Sequence, residues 1–158
     1  DSGQLGNGNE EAQHVPISVS ELSEVITLTA GLNHTCAKLA DGTVECWGEN
    51  ENGQLGDASN DPSNLPVSVE NLGFVKAIVA GGRHSCAQLA NGQVNCWGAN
   101  DYGQLGDVSN TESNIPVDVE ELEFVKAISG GNHHNCILLA TGIGQCWGLN
   151  DLGQLGRY

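Results

Sequence analysis

Apolar and polar positions alternate over short stretches of the chain and then break at glycine, proline or asparagine, a pattern of short strands rather than of helices. Between residues 65 and 98 four such stretches follow one another: LPVSVE, FVKAIVAG, HSCAQLA and QVNCWG. The last two flank Ala90-Asn91-Gly92. The matching triplets Ala40-Asp41-Gly42 and Ala140-Thr141-Gly142 also place glycine where a three-residue hairpin loop needs a positive φ. Pro16, Pro66 and Pro116 fall near the start of the first stretch, where a missing N–H is tolerated at a sheet edge. Helical periodicity is poor throughout, although VENLGFV and VEELEFV allow a brief helical turn between strands. Each unit is therefore expected to fold as four antiparallel strands, with LPVSVE and FVKAIVAG coming first.

The pattern returns every fifty residues without insertion or deletion. Cys36, Cys86 and Cys136 keep that step, as do Cys46, Cys96 and Cys146, Trp47, Trp97 and Trp147, and His34, His84 and His134. GQLG occurs four times, beginning at Gly3, Gly53, Gly103 and Gly153. The units are drawn at 9–58, 59–108 and 109–158, with residues 1–8 as the end of a preceding unit. Four strands at a period of about 40 to 50 residues mark a propeller blade. The segment GLNHTCAKLADGTVECWGENENGQLGD and its two copies resemble the repeat of the regulator of chromosome condensation family, with its G-x-x-H-[ST]-x-A-L, D-G-x-V-x-x-W-G and N-x-x-G-Q-L-G elements. The resemblance covers essentially the whole chain and implies an all-β propeller, typically of seven blades.

Three blades do not close a ring, which takes about four to eight. An open arc leaves its two outermost blade faces bare, and large bare apolar faces seek a partner. The faces are expected to be covered by further repeats of a longer chain or by other copies, in a ring or a filament. A copy whose GQLGRY end meets the DSGQLG start of another would propagate the blade-to-blade packing with no new contact type.

Six cysteines in regular pairs change the picture from fold to compartment. With a three-residue loop at Ala40 to Gly42, Leu39 faces Thr43 and the register brings Cys36 opposite Cys46; Cys86 with Cys96 and Cys136 with Cys146 follow. Opposed Cβ atoms lie about 4.5 to 5.5 Å apart, within reach of a disulfide. Three cross-strand disulfides and an oxidising, extracellular or cell-surface setting are expected, with reduced core cysteines as the alternative. No C-x-x-C pair suggests zinc.

Charge narrows the partners. Five Lys and Arg against twenty Asp and Glu give a formal charge of −15, so no basic face exists for nucleic acid or an anionic membrane. The longest apolar runs are too short to span a bilayer, and an exported protein would have lost its leader already. Aromatics are only 4% of residues, but 39% hydrophobic residues suffice for a core.

The recurring residues are read as structural. The resemblance makes His34, His84 and His134 part of the repeat consensus and implies a hydrogen bond within the blade. The next position is Thr35, Ser85 or Asn135, which excludes a nucleophile shared by the blades. Trp47, Trp97 and Trp147 are expected in blade-to-blade core, with a sugar-stacking platform as the alternative. Gly53 with Gly56, Gly103 with Gly106, and Gly153 with Gly156 are expected to turn the chain toward the next blade. No cofactor is expected; calcium is the one candidate, through Asp57, Asn60 and Asp61 or Asp107, Asn110 and Glu112, although neither loop matches D-x-[DN]-x-[DN]-G.

The chain is thus expected to be a non-enzymatic extracellular assembly protein, a subunit or segment of a larger propeller ring or filament that partners itself or further repeats. The alternative is a module that binds protein or glycan. Family resemblance adds a guanine-nucleotide exchange factor for a small GTPase.

Overall fold

The structure is a computed structural model and describes residues 2–156. Within them, β1 (Val25–Ala30), β2 (His34–Leu39), β3 (Val44–Gly48) and β4 (Ser63–Ser68) form the first sheet in that order. The second has β5 (Val75–Ala80), β6 (His84–Leu89), β7 (Val94–Gly98) and β8 (Ser113–Asp118), and the third β9 (Val125–Gly130), β10 (His134–Leu139) and β11 (Gly144–Gly148). All pairings are antiparallel. This is the all-β architecture of propeller blades, an open arc with no closed ring. No helix among the described residues is long and apolar enough to cross a membrane.

The hairpins follow from local chemistry. Leu39 N–H donates to Thr43 O and Gly42 N–H to Leu39 O, closing the three-residue loop, and Gly42 has the left-handed φ of 86° that a Cβ would oppose. That loop sets the pairs His34 with Gly48, Thr35 with Trp47 and Cys36 with Cys46, and the other two hairpins repeat it.

Two strand expectations are corrected. LPVSVE does not open the sheet of its own unit: β4 pairs with β3, setting Ser68 opposite Glu45 and Val67 opposite Cys46. The first and second sheets therefore each take their fourth strand from the next fifty residues. The reason is access, because β5 lies against β1 on one side and β9 on the other, near the axis of the arc, whereas the far edge of β3 is open. It follows that the equivalent stretch at residues 13–18 forms no strand, and that the third sheet has three strands among the described residues. Pro66 and Pro116 lie in β4 and β8, on that outer edge. The brief helical turn expected at VENLGFV and VEELEFV is replaced by a tight turn with Asn71 at φ 54° and Glu121 at φ 58°, in the left-handed region where no right-handed helix continues.

The core lies between sheets. Cys36, Val44, Cys46 and Leu55 pack against Val75, Ile78, Ala87, Leu89 and Trp97. The same positions one unit on, Cys86, Val94, Cys96 and Leu105, pack against Val125, Ile137 and Trp147.

Candidate functional site

The recurring structural unit is the seam between blades, and its parts come from three places in the chain. After β3 the backbone turns at residues 53–56 and sends Leu55 into the gap between the first and second sheets, where it is fully buried. Gln54 O then accepts from two groups on the second sheet, Trp97 Nε1–H at 2.9 Å and the Ser85 hydroxyl at 3.0 Å. Gly56 makes the approach feasible: a Cβ there would lie 2.7 Å from Trp97 Nε1, and its φ of 73° already favours glycine. In the next seam Trp147 Nε1–H and the Asn135 amide donate to Gln104 O at 2.9 and 2.8 Å. Before the first sheet, Trp47 Nε1–H and the Thr35 hydroxyl donate to Gln4 O at 2.9 and 3.0 Å. Each indole, buried in Trp47 and Trp97 and half-buried in Trp147, thus has a hydrogen-bond partner.

The histidines complete the seam, and here the expectation of a bond within the blade is corrected. His34 Nε2 lies 2.9 Å from Ser85 Oγ on the next sheet, and His84 Nε2 lies 3.1 Å from Asn135 Oδ1. Ser85 uses its proton on Gln54 O, so its oxygen accepts and His34 carries its proton on Nε2. Asn135 uses its amide on Gln104 O, which leaves its oxygen to accept from His84. His34 Nδ1 and His84 Nδ1 are buried without a hydrogen-bond partner, as an unprotonated nitrogen tolerates better than an N–H would. Burial, with the neighbouring His84, lowers the His34 pKa to about 4. Burial also lowers His84 to about 4, against the opposing effect of its bond to Asn135 and with help from His133 and His134. Both rings are neutral at pH 7 and serve as fixed donors. His134, at the end of the arc, is only half-buried.

The linkers contain the calcium candidates. The Asn50 amide donates to Asp57 Oδ1, Ser59 O and Asp61 O at 3.1, 3.2 and 3.0 Å, while Asn50 Oδ1 accepts from Leu55 N–H at 2.9 Å. Asp57 also accepts from Ser59 N–H and its hydroxyl. Asn60 donates to Glu51 O and accepts from Asn114, and Glu112 accepts from Asn52. Asn100 repeats the brace through Asp107, Ser109, Thr111 and Leu105. Asn110 Oδ1 lies near Gly103, at the turn. Asp57 and Asp107 thus close their own loops. Among the described residues no group of three or more His, Cys, Asp or Glu side chains converges as a metal site.

The three cysteine pairs are disulfides, Cys36 with Cys46, Cys86 with Cys96 and Cys136 with Cys146, each joining a hairpin's two strands. The first two lie wholly within the seams and the third is half-buried on the outer face of the third sheet.

The same difference runs through the apolar residues at the two ends. Val75 is fully buried, but its counterpart Val25 is 37% exposed; Ile78 is 3% exposed and its counterpart Leu28 57%; Leu5 is 40% exposed where Leu55 and Leu105 are covered. At the opposite end Leu138, Ile143 and Leu152 are exposed and Leu155 is half-buried. The two ends carry the two halves of the seam seen twice inside the chain. Sequence reasoning missed the glutamine carbonyls, because a backbone acceptor has no residue-type signal. The bracing asparagines did have one, since Asn50, Asn100 and Asn150 recur at the same step of fifty.

Models of the regulator of chromosome condensation (RCC1) repeat match residues 1–37, 41–88 and 91–138, and a second model of the repeat matches 25–54 and 75–104. Among solved structures, yeast RCC1 (Prp20) in complex with Kap60 superposes with a TM-score of 0.79 at 21% identity, over 95% of this chain and 38% of that one. Prp20p from Saccharomyces cerevisiae, studied with its binding to Gsp1p and histones, gives 0.73 at 27% identity, over 85% of this chain and 34% of that one. The ectodomain of receptor kinase CR4 from Physcomitrella patens gives 0.58 at 26%, over 85% and 33%. The chain therefore spans well under half the length of these structures. No curated protein matches it.

Proposed function

The chain belongs to the regulator of chromosome condensation (RCC1) repeat family, and from that membership we propose that it is a non-enzymatic, protein-binding propeller module whose specific task is assembly. It joins further blades, as a subunit or segment of a larger propeller ring or filament. The observation that carries this reading is the pair of bare end faces, with Val25, Leu28 and Leu5 on one side and Leu138 and the Cys136–Cys146 hairpin on the other. Val25, Leu28, Leu5 and the Cys136–Cys146 hairpin are left at least partly in water where their internal counterparts are covered, Leu138 adds an exposed apolar group beside that hairpin, and covering them releases that hydration. The non-enzymatic reading rests on the histidines, which are neutral and bonded across the seams, and on Thr35, Ser85 and Asn135 at the position beside them.

Presentation of a propeller face to a separate protein or glycan is the second reading. It is favoured by the yeast relative seen bound to Kap60. Exchange-factor activity on a small GTPase is the third. Three hairpin disulfides favour an oxidising compartment, and a family-like fold in a receptor-kinase ectodomain agrees, so an extracellular or cell-surface location belongs to the proposal. Electron microscopy of the purified chain at graded concentrations tests the assembly reading. Rings or filaments support it, and isolated three-blade particles at every concentration overturn it.

A further inference from the structure

Resting on the assembly reading, we infer that a second copy of this chain docks head to tail on the third sheet, with its residues 13–18 adding as the fourth strand beside β11. The first and second sheets each carry an outer strand, β4 on β3 and β8 on β7, whereas among the described residues β11 forms the edge of the third sheet. Residues 13–18, QHVPIS, match the β4 sequence SNLPVS and the β8 sequence SNIPVD in position and pattern, and they lie exposed outside any strand. An open edge and a strand-like segment without a sheet are complementary halves of β-augmentation.

The internal seams fix the register. Glu45 faces Ser68, Cys46 faces Val67 and Gly48 faces Ser63; Asn95, Cys96 and Gly98 face Asp118, Val117 and Ser113 in the same way. Transferred across copies, Gln145 faces the second copy's Ser18, Cys146 its Ile17 and Gly148 its Gln13. The flanking faces continue the interface already present twice. Val25 and Leu28 of the second copy then cover the Cys136–Cys146 hairpin and Leu138, an apolar residue where the internal seams have Lys38 and Gln88.

One contact must be exchanged. On the second copy the Trp47 indole already donates to Gln4 O of its own residues 3–6, and residues 153–156 of the first copy repeat the same GQLG and would reach the same place. Joining two copies therefore displaces one of the two segments, since only one fits. Residues 153–156 have the stronger claim, because Asn150 Oδ1 accepts from Leu155 N–H at 2.9 Å, the brace that Asn50 gives Leu55 and Asn100 gives Leu105. Exchange replaces the Gln4 acceptor with the Gln154 acceptor, so no indole hydrogen bond is lost, while Val25 and Leu28 become covered.

The test mixes two full-length variants, Gln145→Cys and Ser18→Cys, under mild oxidation by a glutathione couple. Both positions are exposed, so neither substitution threatens the fold, and the internal equivalents are in reach of each other, with Asn95 donating to Asp118 at 2.7 Å. Covalent dimer is expected on a non-reducing gel, several-fold faster than from Gln145→Cys mixed with Ile17→Cys, whose side chain leaves the opposite sheet face. Equal rates for the two mixtures in a protein that light scattering shows to be associated overturn the register and leave the assembly reading intact. A chain that stays monomeric in light scattering overturns both.

Discussion

His34 Nε2 and Ser85 Oγ, 51 residues apart in sequence, lie 2.9 Å apart across the seam between the first and second sheets. The hydroxyl in turn donates a hydrogen bond to Gln54 O at 3.0 Å, so one buried chain of hydrogen bonds ties β2, β6 and the linker that follows β3. Ser85→Ala removes the middle of that chain and leaves a buried imidazole N–H unpaired, a loss of about 1–3 kcal/mol. Asn135→Ser, which places the second sheet's residue on the third, is expected to be much milder than Asn135→Ala. Urea unfolding midpoints at pH 7 check both, and equal losses for Asn135→Ser and Asn135→Ala would contradict the pairing.

The same histidines make stability depend on pH. Their folded pKa of about 4 lies below the ordinary value of 6.5, so the unfolded chain takes up protons first. Stability is therefore fully present above pH 6.5 and declines as pH falls toward 4, by about 3 kcal/mol for each histidine at most. Between pH 6.5 and 5 most carboxylates have yet to titrate, and the urea midpoint should fall there. A His34→Asn, His84→Asn double variant should lose most of that slope, and an unchanged slope would contradict it.

Much of this was legible in the sequence because it is local. The three-residue loop at Ala40 to Gly42 fixes which residue faces Cys36, and the step of fifty repeats that answer in each hairpin. Strand exchange was not legible: β4 reaches β3 through a fourteen-residue linker, and alternation along SNLPVS does not say which edge it joins. The partner of His34 was hidden for a related reason, since it lies one unit away and differs between seams, Ser85 in one and Asn135 in the next. The apolar spacing of VENLGFV suggested a helical turn, and only the left-handed Asn71 contradicts it.

The disulfides should differ in access. Cys36–Cys46 and Cys86–Cys96 are fully buried in seams, while Cys136–Cys146 is half-buried at the end of the arc. Graded reductant followed by alkylation and mass spectrometry should open Cys136–Cys146 first. Replacing either buried pair by Ala should destabilise by more than the loss of about 2–3 kcal/mol expected from the hairpin constraint alone, because seam packing is lost as well.

Glycine substitutions separate backbone strain from packing. A Cβ on Gly56 meets Trp97, whereas a Cβ on Gly156 meets nothing within 4 Å, and both have left-handed φ, 73° and 69°. Gly56→Ala should therefore be worse than Gly156→Ala by about 1–3 kcal/mol, the usual range for overpacking. Thermal unfolding of dilute protein gives the comparison, and similar losses would mean that the ring of Trp97 shifts freely.

The central claim is that the bare end faces are interfaces, and sedimentation equilibrium of the 158-residue chain beside its Leu28→Asp variant tests it most directly. Leu28 is 57% exposed, so the substitution should leave folding intact. The account predicts a mass that rises with concentration above 16.5 kDa for the parent chain and returns to 16.5 kDa for the variant. A parent chain that stays at 16.5 kDa across the whole range would contradict it.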